Sequence, residues 1–152
     1  MIELSKNSDF RSDKGGQAAS KVAAFPKVRQ LLLKMQQDFA LNPKFADGSD
    51  ADGVVYDGRD TGTVICPQAD IKLFVTASPE IRAMRRHKEY LLKGIKSVYE
   101  NVLAQTKERD SRDSSRSSAP LKPAADAIII DTSYMDINQV FKKVCDIIDC
   151  RV

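Results

Sequence analysis

The segment KERDSRDSSR, residues 107–116, carries four basic and three acidic residues within ten positions. On a helix, rotation by about 100° per residue brings four of them into one sector and turns Asp110 away from it. Those four are Arg109, Arg112, Asp113 and Arg116. Clustered guanidinium groups repel one another unless an anion lies between them, and arginine donors match two phosphate oxygens. The segment therefore fits either a solvated, salt-bridged helix or a site that binds the phosphate and sugar of a ligand.

A second candidate is DGRD, residues 57–60, which directly follows the apolar run GVVY. In open parallel sheets, ligands bind just beyond the carboxyl ends of the strands. Asp57 at such an end can hold Mg²⁺ or its water, and Gly58 allows the backbone to approach a ligand closely. Arg59 can reach a phosphate from there. The alternative is an ordinary turn closed by Asp and Gly.

A third candidate is the basic segment PEIRAMRRHKE, residues 79–89. Arg82, Arg85 and Arg86 are spaced i, i+3 and i+4, so they share one face of a helix that follows a predicted strand. The pattern fits an arginine-bearing segment over a nucleotide, and it equally fits a basic helix exposed to solvent.

Three apolar runs predict the strands that would position these residues, at 53–58, 70–77 and 126–132. The first and third are continuously apolar, which predicts strands covered on both faces. Helices are predicted after Pro26, from Pro79 to about Lys93 behind a Ser78 cap, after a Ser97 cap, and from about Asp136. The order strand, strand, helices, strand, helix is typical of an α/β layered fold with a parallel sheet.

Composition limits the function classes. The chain has 152 residues and 42% apolar residues, which suits one folded domain. Its net charge of +3 is distributed unevenly, since residues 82–116 carry +5 and the remainder −2. An anionic partner at the basic third is therefore plausible. A small RNA-binding protein is disfavoured, because Tyr90 and Tyr99 are the only aromatic residues on the basic helices.

Cysteine and histidine usage excludes further classes. Cys66, Cys145 and Cys150 form an odd set without CxxC spacing, which argues against a disulfide framework or zinc site and for a reducing cytoplasm. His87 lies among basic residues and is expected to be a solvated surface histidine. No apolar run predicts a signal peptide or a membrane span, so we expect a cytoplasmic protein without a membrane partner.

Together, three segments resemble the bacterial cytidylate kinases, which transfer the γ-phosphoryl group of ATP to CMP or dCMP. They are GGQAASKVAAFPKVRQLLLKMQQDFA, DGRDTGTVICPQADIKLFVTASPEIRAMRR and KERDSRDSSRSSAPLKPAADAIIIDT, in that order. The resemblance implies a P-loop nucleoside monophosphate kinase-like fold in a single domain. Residues 1–45 would be the remainder of the CMP-binding region with the following helix, and residues 82–96 would be a lid-like segment.

The resemblance also implies roles on the CMP side of the site. Ser20, Arg29 and Asp60 match residues that recognise cytosine, and Ser20 is also expected near the sugar. Arg109 and Asp113 match residues that hold the ribose hydroxyls. Arg59 and Arg116 match ligands of the CMP phosphate. An acceptor such as Asp60 and a donor such as Arg29 suit the amino and carbonyl groups of cytosine.

On the ATP side, Arg82, Arg85 and Arg86 fall in the part that resembles the lid, and Asp57 matches a strand-end carboxylate near Mg²⁺. Catalysis would then rest on Asp57, Arg59 and Arg116 with Mg²⁺, because phosphoryl transfer needs positioning and charge neutralisation. Such kinases use CMP, dCMP and ATP, without nucleic acid, and a complete one is expected to be a monomer.

The chain departs from the family in one respect, since its 152 residues contain no G-x-x-x-x-G-K-[ST] motif. The expected first strand, P-loop and first helix are not matched. In the family that strand lies between the strands resembling VVYD and IKLFV, so we expect these two not to pair directly. Two hypotheses stay open: a cytidylate kinase whose sequence is given in part, and a non-catalytic nucleotide-binding remnant of such a kinase.

Overall fold

The computed structural model describes residues 22, 25–115 and 120–151. Its elements are α1 (Pro26–Leu41), a π-helical turn (Thr61–Ile65), β1 (Leu73–Thr76), α2 (Pro79–Leu92), α3 (Tyr99–Ser114), β2 (Ile128–Asp131) and α4 (Ile137–Asp149). The predicted α/β class is confirmed, with a parallel sheet and helices between and after its strands.

The chain divides into two compact units, Met1–Val55 and Tyr56–Val152. In the first unit, α1 begins with Pro26 in its first turn, as predicted, and the Lys34 ammonium lies 3.0 Å from the Asp38 carboxylate four residues later. A loop with an isolated antiparallel bridge between Lys44 and Asp50 follows. Gly48 in that loop has φ 88°, a left-handed conformation that favours glycine.

The second unit contains a two-stranded parallel sheet in which Val75 is paired with Ile130. Its small core includes Ile65, Ala83, Val102 and Ile130, and the Ile130 side chain is fully buried. Because α2 packs on α3, the helices that carry Arg82, Arg85, Arg86 and Arg109 are in contact within this unit.

Local sequence signals set the ends of two helices as predicted. The Ser78 hydroxyl accepts from the Ile81 amide at 3.3 Å, and Gly94, with φ 71°, follows the end of α2. At the start of α4, Asp136 and Gln139 form a reciprocal capping box.

The Ser97 cap was predicted wrongly, because Val98 is the N-cap residue and α3 starts at Tyr99, one residue later than a Ser97 cap implies. The Ser97 hydroxyl instead lies 2.7 Å from Nδ1 of His87. His87 is consequently half-buried rather than fully solvated, and its ring meets Tyr99 edge-on at 6.3 Å. A tertiary partner has replaced the local helix cap.

The predicted strand at 53–58 is also wrong. These residues form no ladder, Val55 is 97% exposed, and no strand among the described residues lies beside them. An extended segment needs a neighbouring strand for its amide and carbonyl groups, and apolar composition cannot supply one. The expectation that VVYD and IKLFV do not pair directly is confirmed.

The third predicted strand is present as β2 but is not covered on both faces. Ile129 is 59% exposed, and Val75 of β1 is 56% exposed. Their exposure shows that a continuous apolar run does not by itself establish two covering layers.

Candidate functional site

The most buried charged group of the described chain is the carboxylate of Asp113, in the last turn of α3. The residue is 3% exposed, and its Oδ2 atom forms an ion pair with a terminal guanidinium nitrogen of Arg59. Nε of Arg109, one turn earlier on α3, lies 3.9 Å from the same oxygen. A buried carboxylate needs such partners, so Asp113 ties the loop bearing Arg59 to the end of α3.

A second ion pair joins α2 to α3. Arg82 donates through both terminal nitrogens to the two oxygens of Asp110, at 2.8 and 2.6 Å, and its Nε donates to the Ala77 carbonyl at 2.9 Å. The hydrogen bonds from Arg82 hold the pKa of Asp110 below its ordinary value, and the nearby charges of Arg59 and Arg109 add to this effect. The same pair raises the pKa of Arg82.

The two pairs form one cluster, which we call the arginine cluster. It comprises Arg59, Arg82, Arg109, Asp110 and Asp113. Its carboxylates lie three residues apart on α3, and its guanidinium groups come from three different segments. Three positive charges face two negative charges, so the cluster retains an excess of positive charge. It can bind an anion if a guanidinium group exchanges its carboxylate for the anion.

The Thr61–Ile65 turn fixes the loop that presents Arg59 and Asp60. The Asp60 carbonyl accepts from the amides of Thr63, Val64 and Ile65 at 3.3, 2.8 and 3.2 Å. Ile65 is 7% exposed and anchors the turn in the core. At Gly58, a Cβ atom would lie 2.8 Å from Cγ2 of Thr61, so a side chain there requires the Thr61 side chain or the backbone to shift.

Arg85 and Arg86, predicted as part of a mobile basic segment, have protein partners in this structure. Arg85 donates to the Thr132 hydroxyl at 3.1 Å, the Thr132 carbonyl at 2.5 Å and the Met135 carbonyl at 3.2 Å. Nε of Arg86 donates to the Tyr90 hydroxyl at 2.7 Å, and its guanidinium lies 5.4 Å from the Tyr90 ring centroid. Arg85 therefore connects α2 to the loop after β2.

The helical-wheel prediction for 107–116 holds only in part. Arg109 and Asp113 do share a face, but Arg112 extends toward Glu108 at 3.8 Å and is largely exposed. Asp110, predicted to point away from the site, contributes to the cluster by binding Arg82. Sequence reasoning missed it because its partner comes from a different helix. The available signal was an acidic residue three positions before Asp113.

Of the other predicted residues, two are described and two lie outside the described part. Arg29 is half-buried on α1 in the first unit, and Asp57 is exposed two residues before Arg59. Ser20 and Arg116 lie outside the described residues.

Within the described ranges, no group of three or more His, Cys, Asp or Glu residues is arranged to hold a metal ion. Asp57 nevertheless offers a carboxylate oxygen, the ligand type that Mg²⁺ prefers. Protein-bound Mg²⁺ usually takes one or two carboxylates and completes its shell with water and substrate phosphates. The single carboxylate of Asp57 is compatible with that mode of binding.

The described helices include none with the length and hydropathy needed to cross a bilayer.

The fold and the arginine cluster define an α/β protein whose second unit has a site suited to a phosphorylated ligand. Comparison with known proteins specifies the class further. A sequence profile described as "Cytidylate kinase" matches residues 3–150.

Individual relatives agree with the profile. The chain is 51% identical to a cytidylate kinase of Paramagnetospirillum magneticum over 94% of its length, and 50% identical to one of Xanthobacter autotrophicus over 93%. A relative named cytidylate kinase 1 from Haemophilus influenzae is 49% identical over 88% of the chain. The chain spans 65%, 64% and 54% of the length of these three relatives. It belongs to the cytidylate kinase family.

Proposed function

We propose that the protein of which this chain is a part, or the whole, transfers the γ-phosphoryl group of ATP to CMP or dCMP. The observation that carries the proposal is the arginine cluster, where Arg59 and Arg109 share the buried Asp113 carboxylate. The proposal is also supported by two relatives named cytidylate kinase, which are 51% and 50% identical to the chain over 94% and 93% of its length.

On the CMP side, Arg59 binds the phosphate together with Arg116, while Asp113 and Arg109 hold the sugar hydroxyls. Ser20, Arg29 and Asp60 recognise the cytosine. The CMP phosphate replaces the Asp113 carboxylate as the partner of Arg59, because a dianion accepts two charge-assisted hydrogen bonds from one guanidinium. The released Asp113 carboxylate is then a strong acceptor for a ribose hydroxyl. Phosphate binding and sugar binding thereby become coupled events at one carboxylate.

On the ATP side, Arg82, Arg85 and Arg86 belong to a lid-like segment, residues 82–96. Arg82 and Arg85 fix α2 against α3 and the loop after β2, as their hydrogen bonds in this structure support. Mg²⁺, held through Asp57 directly or through water, would neutralise charge on the ATP phosphates. Phosphoryl transfer needs little covalent chemistry from the protein, so positioning by these arginines supplies most of what the chain itself contributes.

The alternative function is a nucleotide-binding protein without catalysis, a remnant of such a kinase. It is favoured by one observation, the lack of a G-x-x-x-x-G-K-[ST] motif in these 152 residues. Both functions share the CMP site and differ in whether ATP is turned over. The DNA upstream of Met1 distinguishes them, because an in-frame motif of that kind supports a kinase and an immediate stop codon or frameshift supports a remnant.

Calorimetric titration of CMP tests the shared site, with Arg59→Met as the variant and Arg112→Met as its matched control. Arg112 is an arginine of the same region that pairs with exposed Glu108 instead of the cluster. We expect Arg59→Met to weaken CMP binding by about tenfold or more, the effect of losing a charge-assisted pair, and Arg112→Met to leave it nearly unchanged. Equal affinities in both variants would reject the assigned phosphate ligand. A coupled ATP-to-ADP assay with CMP then separates kinase from remnant.

A further inference from the structure

A cleft of about 460 Å³ lies beside the Thr61–Ile65 turn and the segment that precedes β2. It contains two lysines that no motif of the sequence singled out, Lys72 and Lys122. The Lys72 side chain is 8% exposed, whereas Lys122 is an exposed residue. Its ammonium donates to the Pro67 carbonyl at 2.5 Å and to Oδ2 of Asp126 at 2.6 Å.

The stem of Lys72 packs against the turn that follows Arg59 and Asp60. The stem lies over Gly62, where an added Cβ atom would be 3.5 Å from Cδ and 3.6 Å from Cγ of Lys72. The backbone of Lys72 is held as well, because its carbonyl accepts from the Ile128 amide at 2.8 Å. Lys72 therefore connects the turn, the segment after it and the beginning of β2.

This connection reaches the candidate site through the turn itself. The Asp60 carbonyl accepts three amides of the turn, so any displacement of the turn moves Asp60 and the adjoining Arg59. A cation on a largely covered side chain is costly unless hydrogen-bonded acceptors contact it, and here one charged and one neutral acceptor do so. An apolar side chain could fill the same space, but it could not donate hydrogen bonds to the Pro67 carbonyl and the Asp126 carboxylate.

We propose that Lys72 is a positioning residue, whose ammonium fixes the Thr61–Ile65 turn against the sheet and thereby holds Arg59 and Asp60 in the orientation that binds CMP. The inference rests on the proposed function for its ligand, whereas the anchoring of the turn stands on the contacts of Lys72 alone. Lys72 touches neither nucleotide nor reacting atoms, and it acts only through Arg59 and Asp60.

The test compares Lys72→Met, which keeps the stem and removes the ammonium, with Lys72→Arg, which restores a cation. Lys122→Met is the matched control, since it removes an exposed lysine from the same cleft. Removal of the Lys72 ammonium does not leave a buried charge without its partner, because the Asp126 side chain is 65% exposed. The Lys72→Met protein should therefore fold.

Amide hydrogen exchange at Thr63–Cys66 and the CMP dissociation constant are measured for each variant. We expect exchange at these amides to accelerate and CMP binding to weaken by about tenfold in Lys72→Met, with recovery to within about threefold in Lys72→Arg. Lys122→Met should match the unsubstituted chain in both. Unchanged exchange at Thr63–Cys66 in Lys72→Met overturns the anchoring role whether or not CMP binds.

Faster exchange without weaker CMP binding overturns the link to Arg59 and Asp60. If the unsubstituted chain binds no CMP, the proposed function fails together with the ligand assigned here. The exchange rates then still decide the anchoring role.

Discussion

At the residue scale, Asp113 has two competing roles. Its carboxylate balances the positive charges of Arg59 and Arg109 inside the protein, and it is proposed to accept a hydrogen bond from a ribose hydroxyl. Because Asp113 is only 3% exposed, both roles depend on its negative charge. Removing one member of a buried ion pair costs about 3–5 kcal/mol, and the partial exposure of Arg59, 34%, places this site at the lower end.

Asp113→Ala should therefore lower the melting temperature and weaken CMP binding by the equivalent of about 1–3 kcal/mol, the value of a lost hydrogen-bond acceptor. The preference between CMP and dCMP should narrow, because the substituted residue no longer distinguishes the sugars. Calorimetric titration of both nucleotides measures this. Asp146→Ala is the control, since Asp146 is an exposed carboxylate paired with Lys142 on α4. Unchanged binding of both nucleotides by Asp113→Ala would reject the ribose role.

At the element scale, the bidentate pair between Arg82 and Asp110 is one of two charged links between α2 and α3, the other being the pair of Glu80 with Lys107 at 3.0 Å. Since the pair lowers the folded-state pKa of Asp110, it stabilises the fold at pH values above the unfolded pKa of about 4. That stabilisation is lost as the pH falls through the lower folded-state pKa. The link between the helices is thus expected to be strong near neutrality and weak in acid.

Asp110→Asn should accordingly reduce the free energy of unfolding near pH 7 by about 1 kcal/mol, a value for a well-oriented pair that is partly exposed. The difference from the unsubstituted chain should shrink on acidification and disappear once the pH has fallen through the lowered pKa of Asp110. Urea unfolding at several pH values measures it. Glu108→Gln serves as the control, because Glu108 only faces the exposed Arg112 at 3.8 Å. A difference that persists undiminished in acid would contradict the assigned ion pair.

At the scale of the whole molecule, exposed apolar side chains dominate the expected behaviour of the isolated chain. α4 is strongly amphipathic, yet it contains no buried residue, and Ile137 and Phe141 are 83% and 70% exposed. On the sheet, Val75 and Ile129 are also more than half exposed. Apolar surface of this kind associates in water, and uncovered strands add pairing groups.

The purified 152-residue chain should hence associate with rising concentration, and sedimentation velocity should show it. Phe141→Lys should reduce the association because it interrupts the apolar face of α4. Tyr134→Lys is the control: Tyr134 is 96% exposed but precedes the helix. A chain that stays monomeric over a wide concentration range would show that these side chains do not drive association.

Features that depend on near neighbours in the chain could be predicted from the amino-acid sequence. The Ser78 cap, the stop at Gly94 and the capping box at Asp136 were all predictable, because each involves atoms within a few residues. Family membership was predictable too, since long ordered segments carried the resemblance.

The tertiary structure alone decided the features that depend on distant partners. Ser97 binds His87 instead of capping α3, and Asp110 binds Arg82 across two helices. The run at 53–58 forms no strand, because a strand needs a neighbour that apolar composition cannot specify. The pairing of Asp113 with Arg59 and of Lys72 with Asp126 likewise joins residues 54 positions apart in the chain. Only packing selects among the many acceptors that such cations could reach, so spacing within one segment could not predict these pairs.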